Sequence, residues 1–139
     1  MAQVSHKSTV NVPAFAIWKE ISRFGRADQY LPGVVHCTVE GDGAQRKLTN
    51  ADGSTIVERL EEVDEAAHRL SYVLLTDTPF RNCRTTMAVR DLGRGRAEVT
   101  WSATFEADGL PESEAVALLR GALEDNCLAL KRFMELGRQ

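Results

Sequence analysis

A chain of 139 residues is long enough for one hydrophobic core and too short for two, so a single domain over residues 1–139 is expected. Hydrophobic residues make up 43% and charged residues 27%, the proportions of a globular chain and neither of a disordered segment nor of a membrane span. Seventeen basic residues against 20 acidic ones, a net charge of -3, give no electrostatic footprint for nucleic acid.

At the start, Val4, His6, Ser8 and Val10 alternate with Gln3, Ser5, Lys7 and Thr9, the period-two pattern of a strand. No continuous apolar run of the kind a signal peptide or spanning helix needs occurs there, so a cytoplasmic location is expected. Pro13 cannot continue a ladder but suits the first turn of a helix, and Phe15, Ile17, Trp18 and Ile21 follow at helical spacing, which predicts a short helix over 13–21. A second turn of helix is expected over 24–31, ended by Pro32-Gly33. Strands follow over 34–40, 44–49, 55–63, 68–75, 82–92 and 96–105, separated by turn sequences such as Gly41-Asp42-Gly43, Asn50-Ala51-Asp52-Gly53 and Gly93-Arg94-Gly95. Six successive strands with short connections imply an antiparallel meander.

After Gly109 the period becomes helical. Pro111 suits the first position, Glu112 and Glu114 the positive end of the helix dipole, Lys131 and Arg132 its negative end, and Gly137 the stop. One helix of about 26 residues is expected, with an apolar stripe of Ala115, Leu118, Leu119, Ala122, Leu123, Leu130, Phe133 and Met134. Cys37, Cys83 and Cys127 are odd in number and far apart, and read as reduced, buried thiols; His6, His36 and His68 have no metal-like spacing. No phosphate-binding glycine loop or Ser/His/Asp constellation is visible, and nothing demands a cofactor or a metal.

The expected fold is therefore α+β: seven antiparallel strands curled around one long C-terminal helix, with short helices between the first two strands. A bent sheet gripping a helix contacts it fully at one end and diverges at the other, and the gap is a cavity. Choosing the more apolar alternating set on each strand points Val99, Trp101, Ala103 and Phe105 inward, with Cys83, Thr85, Met87 and Val89 beside them. The same choice gives Leu70, Tyr72 and Leu74, then Val35, Cys37 and Val39, then Ile56, Glu58 and Leu60, and puts Arg59, Arg84 and Arg90 outside. Glu58 and Asn126 do not belong in a dry core, because an unpartnered buried polar group costs about 1–3 kcal/mol. A partly polar pocket accommodates both. The residues expected to line it are Val35, Cys37, Ile56, Glu58, Tyr72, Leu74, Cys83, Thr85, Met87, Trp101, Leu118, Ala122 and Asn126.

The order of elements, together with Pro13, Ile17-Trp18, Arg23-Phe24, Tyr30, Cys37-Thr38-Val39-Glu40, Glu58-Arg59-Leu60, Asp64, Asn82, Trp101 and Asn126, resembles the START-like, helix-grip (SRPBCC) superfamily. That superfamily holds polyketide cyclases and dehydrases, lipid-transfer domains, the major birch pollen allergen and the plant abscisic-acid receptors. The resemblance covers residues 4–136 and is nearest to the receptor-like branch and its bacterial relatives. It implies an apolar cavity entered by Glu58 and Asn126 and flanked at its mouth by the turns at 50–54 and 77–81. Where the receptors carry a lysine for the hormone's carboxylate this chain has Val35, and Cys83 stands where a tyrosine is expected, so the implied ligand is less acidic and more apolar.

The function expected is binding, transport or sensing of a small hydrophobic molecule, such as a lipid, isoprenoid, aromatic or polyketide-like compound, by a monomer or homodimer. The alternative is a cyclase or dehydratase with Glu58 as general acid or base, since burial disfavours the charged form of a carboxyl group and suits it to proton transfer. A third reading is a subunit of a toxin-antitoxin or regulatory complex in which the pocket is vestigial.

Overall fold

The computed structural model describes residues 1–137. Strand β1 (Ala2–Val10) leads into helix α1 (Ala14–Ile21) and a 3-10 helix (Phe24–Gln29), followed by β2 (Val34–Glu40), β3 (Gln45–Asn50), β4 (Thr55–Asp64), β5 (Arg69–Leu74), β6 (Phe80–Gly93) and β7 (Arg96–Ala107). Helix α2 (Glu112–Arg132) runs on into a π turn (Phe133–Gly137). All seven strands join one antiparallel sheet in the order β1-β7-β6-β5-β4-β3-β2, so β1 closes one edge and β2 the other. The expected meander and terminal helix are present. The short second helical turn is 3-10, and the hairpin strands β6 and β7 run past their expected ends.

Alternation along the central strands builds the core. Cys83, Thr85, Met87 and Val89 of β6 and Ala97, Val99, Trp101, Ala103 and Phe105 of β7 are all buried, whereas Arg84, Arg90 and Arg59 face outward. Ile17 and Ile21 of α1 and Leu130 of α2 complete it from the other side. Each such apolar side chain contributes about 1.5–3 kcal/mol by leaving water. Helix α1 is docked by two polar contacts: the Ala14 N–H donates to Asp91 Oδ1 at 3.1 Å, and Trp18 Nε1 donates to Glu65 Oε2 at 2.6 Å while its ring stacks on His68.

The face that α2 buries is Ala115, Leu123, Cys127, Leu130 and Met134, at spacings of three and four with Leu119 half-buried between the first two. This corrects the expected stripe. Leu118 is 53% exposed and Ala122 is also exposed, because the helix is rotated to place Cys127 inward. At its far end α2 is clamped to the start of the chain: Lys131 Nζ donates to the Thr9 carbonyl at 2.7 Å, and the Asn11 N–H donates to Glu135 Oε2 at 2.7 Å. Its close backbone contacts within the sheet are with β1 and β7. The helix thus leans on one edge of the sheet, and its first half stands away from β4 and β5.

A second correction falls on β2. The ladder between β2 and β3 shifts between Val34 and His36, so Val34 packs against the core and Val35, expected inward, is 49% exposed. Cys37 and Val39 keep the expected face, opposite the buried Leu48 and Arg46, although Val39 remains 45% exposed. On that face the 3-10 helix lies so close that a Cβ at Gly25 would sit 2.5 Å from Val39 Cγ2.

Candidate ligand-binding cavity

A cavity of about 250 Å³ opens where α2 diverges from the sheet. Its walls come from alternate residues of three neighbouring strands, since side chains two apart share one face: Ile56 and Glu58 of β4, Tyr72 and Leu74 of β5, Cys83 and Thr85 of β6. Trp101 of β7 adds to the sheet wall and Leu119, Leu123 and Asn126 of α2 form the roof, with the exposed Ala122 at the mouth. Thr78 and Phe80 form the rim. Phe80 is locked edge-on against Phe105, ring centres 5.3 Å apart, so this side of the rim is fixed by the core.

Three polar features interrupt the apolar lining. The first is Glu58, which is not the lone acid the sequence suggests. It stands opposite Arg46 of β3 in the sheet register. Arg46 Nε donates to Glu58 Oε1 at 2.9 Å, and Nη2 approaches the same oxygen at 2.7 Å. Arg46 is only 2% exposed; its Nη1 donates to the Phe24 carbonyl at 3.0 Å, and its guanidinium lies 4.0 Å from the Phe24 ring centre and 4.9 Å from that of Tyr72. Burial pulls the guanidinium's pKa down, but the facing Glu58 carboxylate and the Tyr72 and Tyr30 hydroxyls more than offset it, and the net direction is up. Both Arg46 contacts fall on Oε1, so Glu58 Oε2 has no partner among the described residues and is open to the cavity.

The second is Tyr72, whose hydroxyl accepts from Trp101 Nε1 at 3.3 Å. Burial, reinforced by the Glu58 carboxylate, pushes the phenol's pKa upward, so it stays a protonated donor. The third is Asn126, half-buried on the roof, whose amide has no hydrogen-bond partner among the described residues. Cys83 and Thr85 form a softer patch with Sγ and Oγ1 4.0 Å apart, and burial raises the thiol's pKa and keeps it neutral.

The structure brings together Ile56, Glu58, Tyr72, Leu74, Cys83, Thr85, Trp101, Ala122 and Asn126 around this space, and places Val35, Cys37, Met87 and Leu118 elsewhere. Val35 is turned out by the shift in β2, and Leu118 by the rotation of α2. Cys37 lies under the 3-10 helix, its Sγ 3.9 Å from the Phe24 carbonyl. Met87 faces inward but is buried in the core further along β6, toward Asp91, where α1 is anchored. Sequence reasoning missed Thr78, Phe80, Leu119 and Leu123, and above all Arg46. The signal for Arg46 was there: it shares the parity of Leu48, and a hairpin turn centred on Asp52 pairs it with Glu58.

Of the two turns expected at the mouth, the one between β5 and β6 supplies Thr78, whereas no residue of 50–54 reaches the cavity. That second turn is tightly self-bonded: the Asn50 N–H donates to the Ser54 carbonyl at 2.8 Å, and Asp52 Oδ1 accepts from the Ser54 hydroxyl at 2.6 Å and from the Ser54 N–H at 2.9 Å, which together hold the Asp52 pKa below its ordinary value. Outside the rim lies a wider depression of about 500 Å³, bordered by Asp77, Arg81, Asn82 and Asp108 and sharing Leu74, Thr78 and Phe80 with the inner space. Its charged walls are solvated, so burial of an apolar molecule is favoured in the smaller inner cavity.

Comparison with known proteins agrees with this architecture. Residues 1–135 match the family described as "Polyketide cyclase / dehydrase and lipid transport". The chain is 33% identical over 107 residues to the abscisic acid receptor PYL7 of Arabidopsis thaliana, an alignment covering 71% of this chain and 51% of the receptor, so the chain spans about half of that relative's length. The solved structure of the protein XoxI from Bacillus cereus superposes with a TM-score of 0.91 at 27% identity, with all of both chains covered. A START superfamily protein from Mycobacterium smegmatis shares the fold with a TM-score of 0.80 at 20% identity, over 96% of this chain and 97% of that one. Among the described residues no helix is long and apolar enough to cross a membrane.

Proposed function

Because the chain belongs to the polyketide cyclase / dehydrase and lipid transport family, with its START-like helix-grip fold, we propose that it binds a small, mostly apolar molecule in the cavity between α2 and strands β4 to β7. The observation that carries this reading is a carbon-lined space that nevertheless presents an unpaired carboxylate oxygen of Glu58 and a free amide on Asn126. Apolar burial at roughly 25 cal/mol per Å² supplies affinity, and the two polar groups orient the ligand.

The volume sets the ligand's size. A space of about 250 Å³ lies just under the roughly 300–1,000 Å³ of ordinary ligand pockets and equals about eight water volumes at roughly 30 Å³ each. Molecules of about ten non-hydrogen atoms, a small aromatic or a short isoprenoid, fit this space; a long acyl chain or a many-ringed polyketide requires it to open. A bulky side chain at the mouth tests the reading. Ala122→Trp should abolish uptake of a naphthalene-sized fluorescent probe, and Leu118→Arg, one turn away on the solvent side, should leave it unchanged. Equal uptake by both folded variants would sink the proposed location.

One observation favours a second reading. Glu58 Oε2 faces the cavity as a carboxylate oxygen able to take a proton, which suits a cyclase or dehydratase using Glu58 as base. Mass spectrometry after incubation with cell extract separates the two: binding returns the retained compound unaltered, and catalysis returns a product that Glu58→Gln no longer forms.

A further inference from the structure

The cavity buries an arginine beside a carboxylate, yet presents the ligand with only one of the two. The Arg46 guanidinium is engaged by the protein itself: two contacts go to Glu58 Oε1, one to the Phe24 carbonyl, and it lies over the rings of Phe24 and Tyr72. Arg46 is not part of the cavity wall, and among the described residues that wall contains no lysine, arginine or histidine. Glu58, whose side chain keeps 13% exposure against 3% for Arg46, is the charged group the cavity sees.

Building on the cavity's role as a ligand site, we propose that Arg46 and Glu58 act together as its charge filter, admitting a neutral ligand with a hydroxyl group, an alcohol or phenol, and turning away carboxylates. The chemistry follows from which lone pairs and protons are left over. A hydroxyl donates to Glu58 Oε2, a charge-assisted bond, and accepts from the Asn126 amide or the Tyr72 hydroxyl. A carboxylate meets a carboxylate in a space where no cation is free and little water screens the repulsion. An ammonium group fares worse than a hydroxyl, because the Arg46–Glu58 pair is already neutral and an added cation is left uncompensated in a poorly solvated site.

Arg46 is therefore a specificity-determining residue that never touches the ligand. Its masked charge gives a sharp consequence: when Glu58 becomes uncharged, the guanidinium behind it is released and the preference inverts.

The test uses size-matched naphthalenes at pH 7, where a phenol is neutral. Fluorescence titration of the wild-type protein should rank 2-naphthol about tenfold or more above naphthalene, and 2-acetylnaphthalene about tenfold or more above its anionic isostere 2-naphthoate. In Glu58→Gln, 2-naphthoate should overtake 2-naphthol. If that variant does not fold, Arg46→Met combined with Glu58→Leu serves instead, since an apolar pair of similar volume is tolerated where a lone buried charge is not; it should keep naphthalene binding and lose the preference for naphthol. Naphthalene binding with no discrimination between 2-naphthoate and 2-acetylnaphthalene, or tighter binding of 2-naphthylmethylammonium than of 2-naphthol, overturns the filter and leaves the cavity standing. Failure of all five compounds to bind removes both.

Discussion

At Arg46 a full charge is held at 2% exposure, and its environment shows how the fold tolerates it. Desolvation is offset by the Glu58 carboxylate, by a backbone carbonyl and by two aromatic faces, so removing the arginine alone leaves Glu58 without its partner. Breaking a buried pair from one side costs about 3–5 kcal/mol, and because Glu58 keeps contact with the cavity the lower end applies. Arg46→Met should thus lower unfolding stability by about 3 kcal/mol in urea titration, and adding Glu58→Leu should restore most of it. A double variant as unstable as the single one would show that Arg46 acts through packing alone. Glu58 and Asn126 were legible as misfits because both interrupt apolar patterns. Arg46 was harder to read, because Leu48 is the one large apolar residue that marks the inner face of β3 and only the register with β4 brings the arginine opposite Glu58.

The elements show where alternation and periodicity stop being informative. Along β6 and β7 the period of two is unbroken and the inward set can be read directly. On β2 a shift of register between Val34 and His36 puts Val34 instead of Val35 on the face that Cys37 and Val39 share, and no hydrophobic pattern in seven residues announces this. On α2 the seam is set by tertiary contact: Leu118 and Leu130 are equally apolar in sequence, yet one is 53% exposed and the other fully buried. Leu130→Ala should cost about 2–5 kcal/mol and Leu118→Ala less than about 0.5 kcal/mol, measured by thermal or chemical unfolding. Similar losses at both positions would contradict the rotation of the helix seen here.

For the whole molecule, the order of strands, short helices and terminal helix was legible because each turn carries its own residues and each segment its own period. The size of the gap was not, since it depends on where α2 is clamped, and the Lys131 and Glu135 contacts to the start of the chain join residues more than a hundred positions apart. The buried phenols predict the molecule's response to alkali. Burial pushes the Tyr30 hydroxyl from 10.0 up to about 12, with the Arg46 guanidinium pulling the other way, and Tyr72 is pushed in the same direction. Below pH about 10 the folded and unfolded chains hold these protons alike; above it the unfolded chain releases them first, so stability falls as pH rises from 10.0 to about 12. Tyr30→Phe should remove part of that slope, on the order of 2 kcal/mol across the interval. An unchanged slope would mean that Tyr30 is free to ionise in the native state.

Where a ligand settles is the direct test of the account. Backbone amide shifts recorded while the isotope-labelled protein is titrated with 2-naphthol should move most at Ile56, Glu58, Leu74, Thr85, Leu123 and Asn126, which surround the inner cavity. Shifts that leave those residues still and concentrate at Lys19, Arg23 and Phe133, in the groove between α1 and the end of α2, or at Asp77, Arg81 and Asp108 outside the rim, would contradict it.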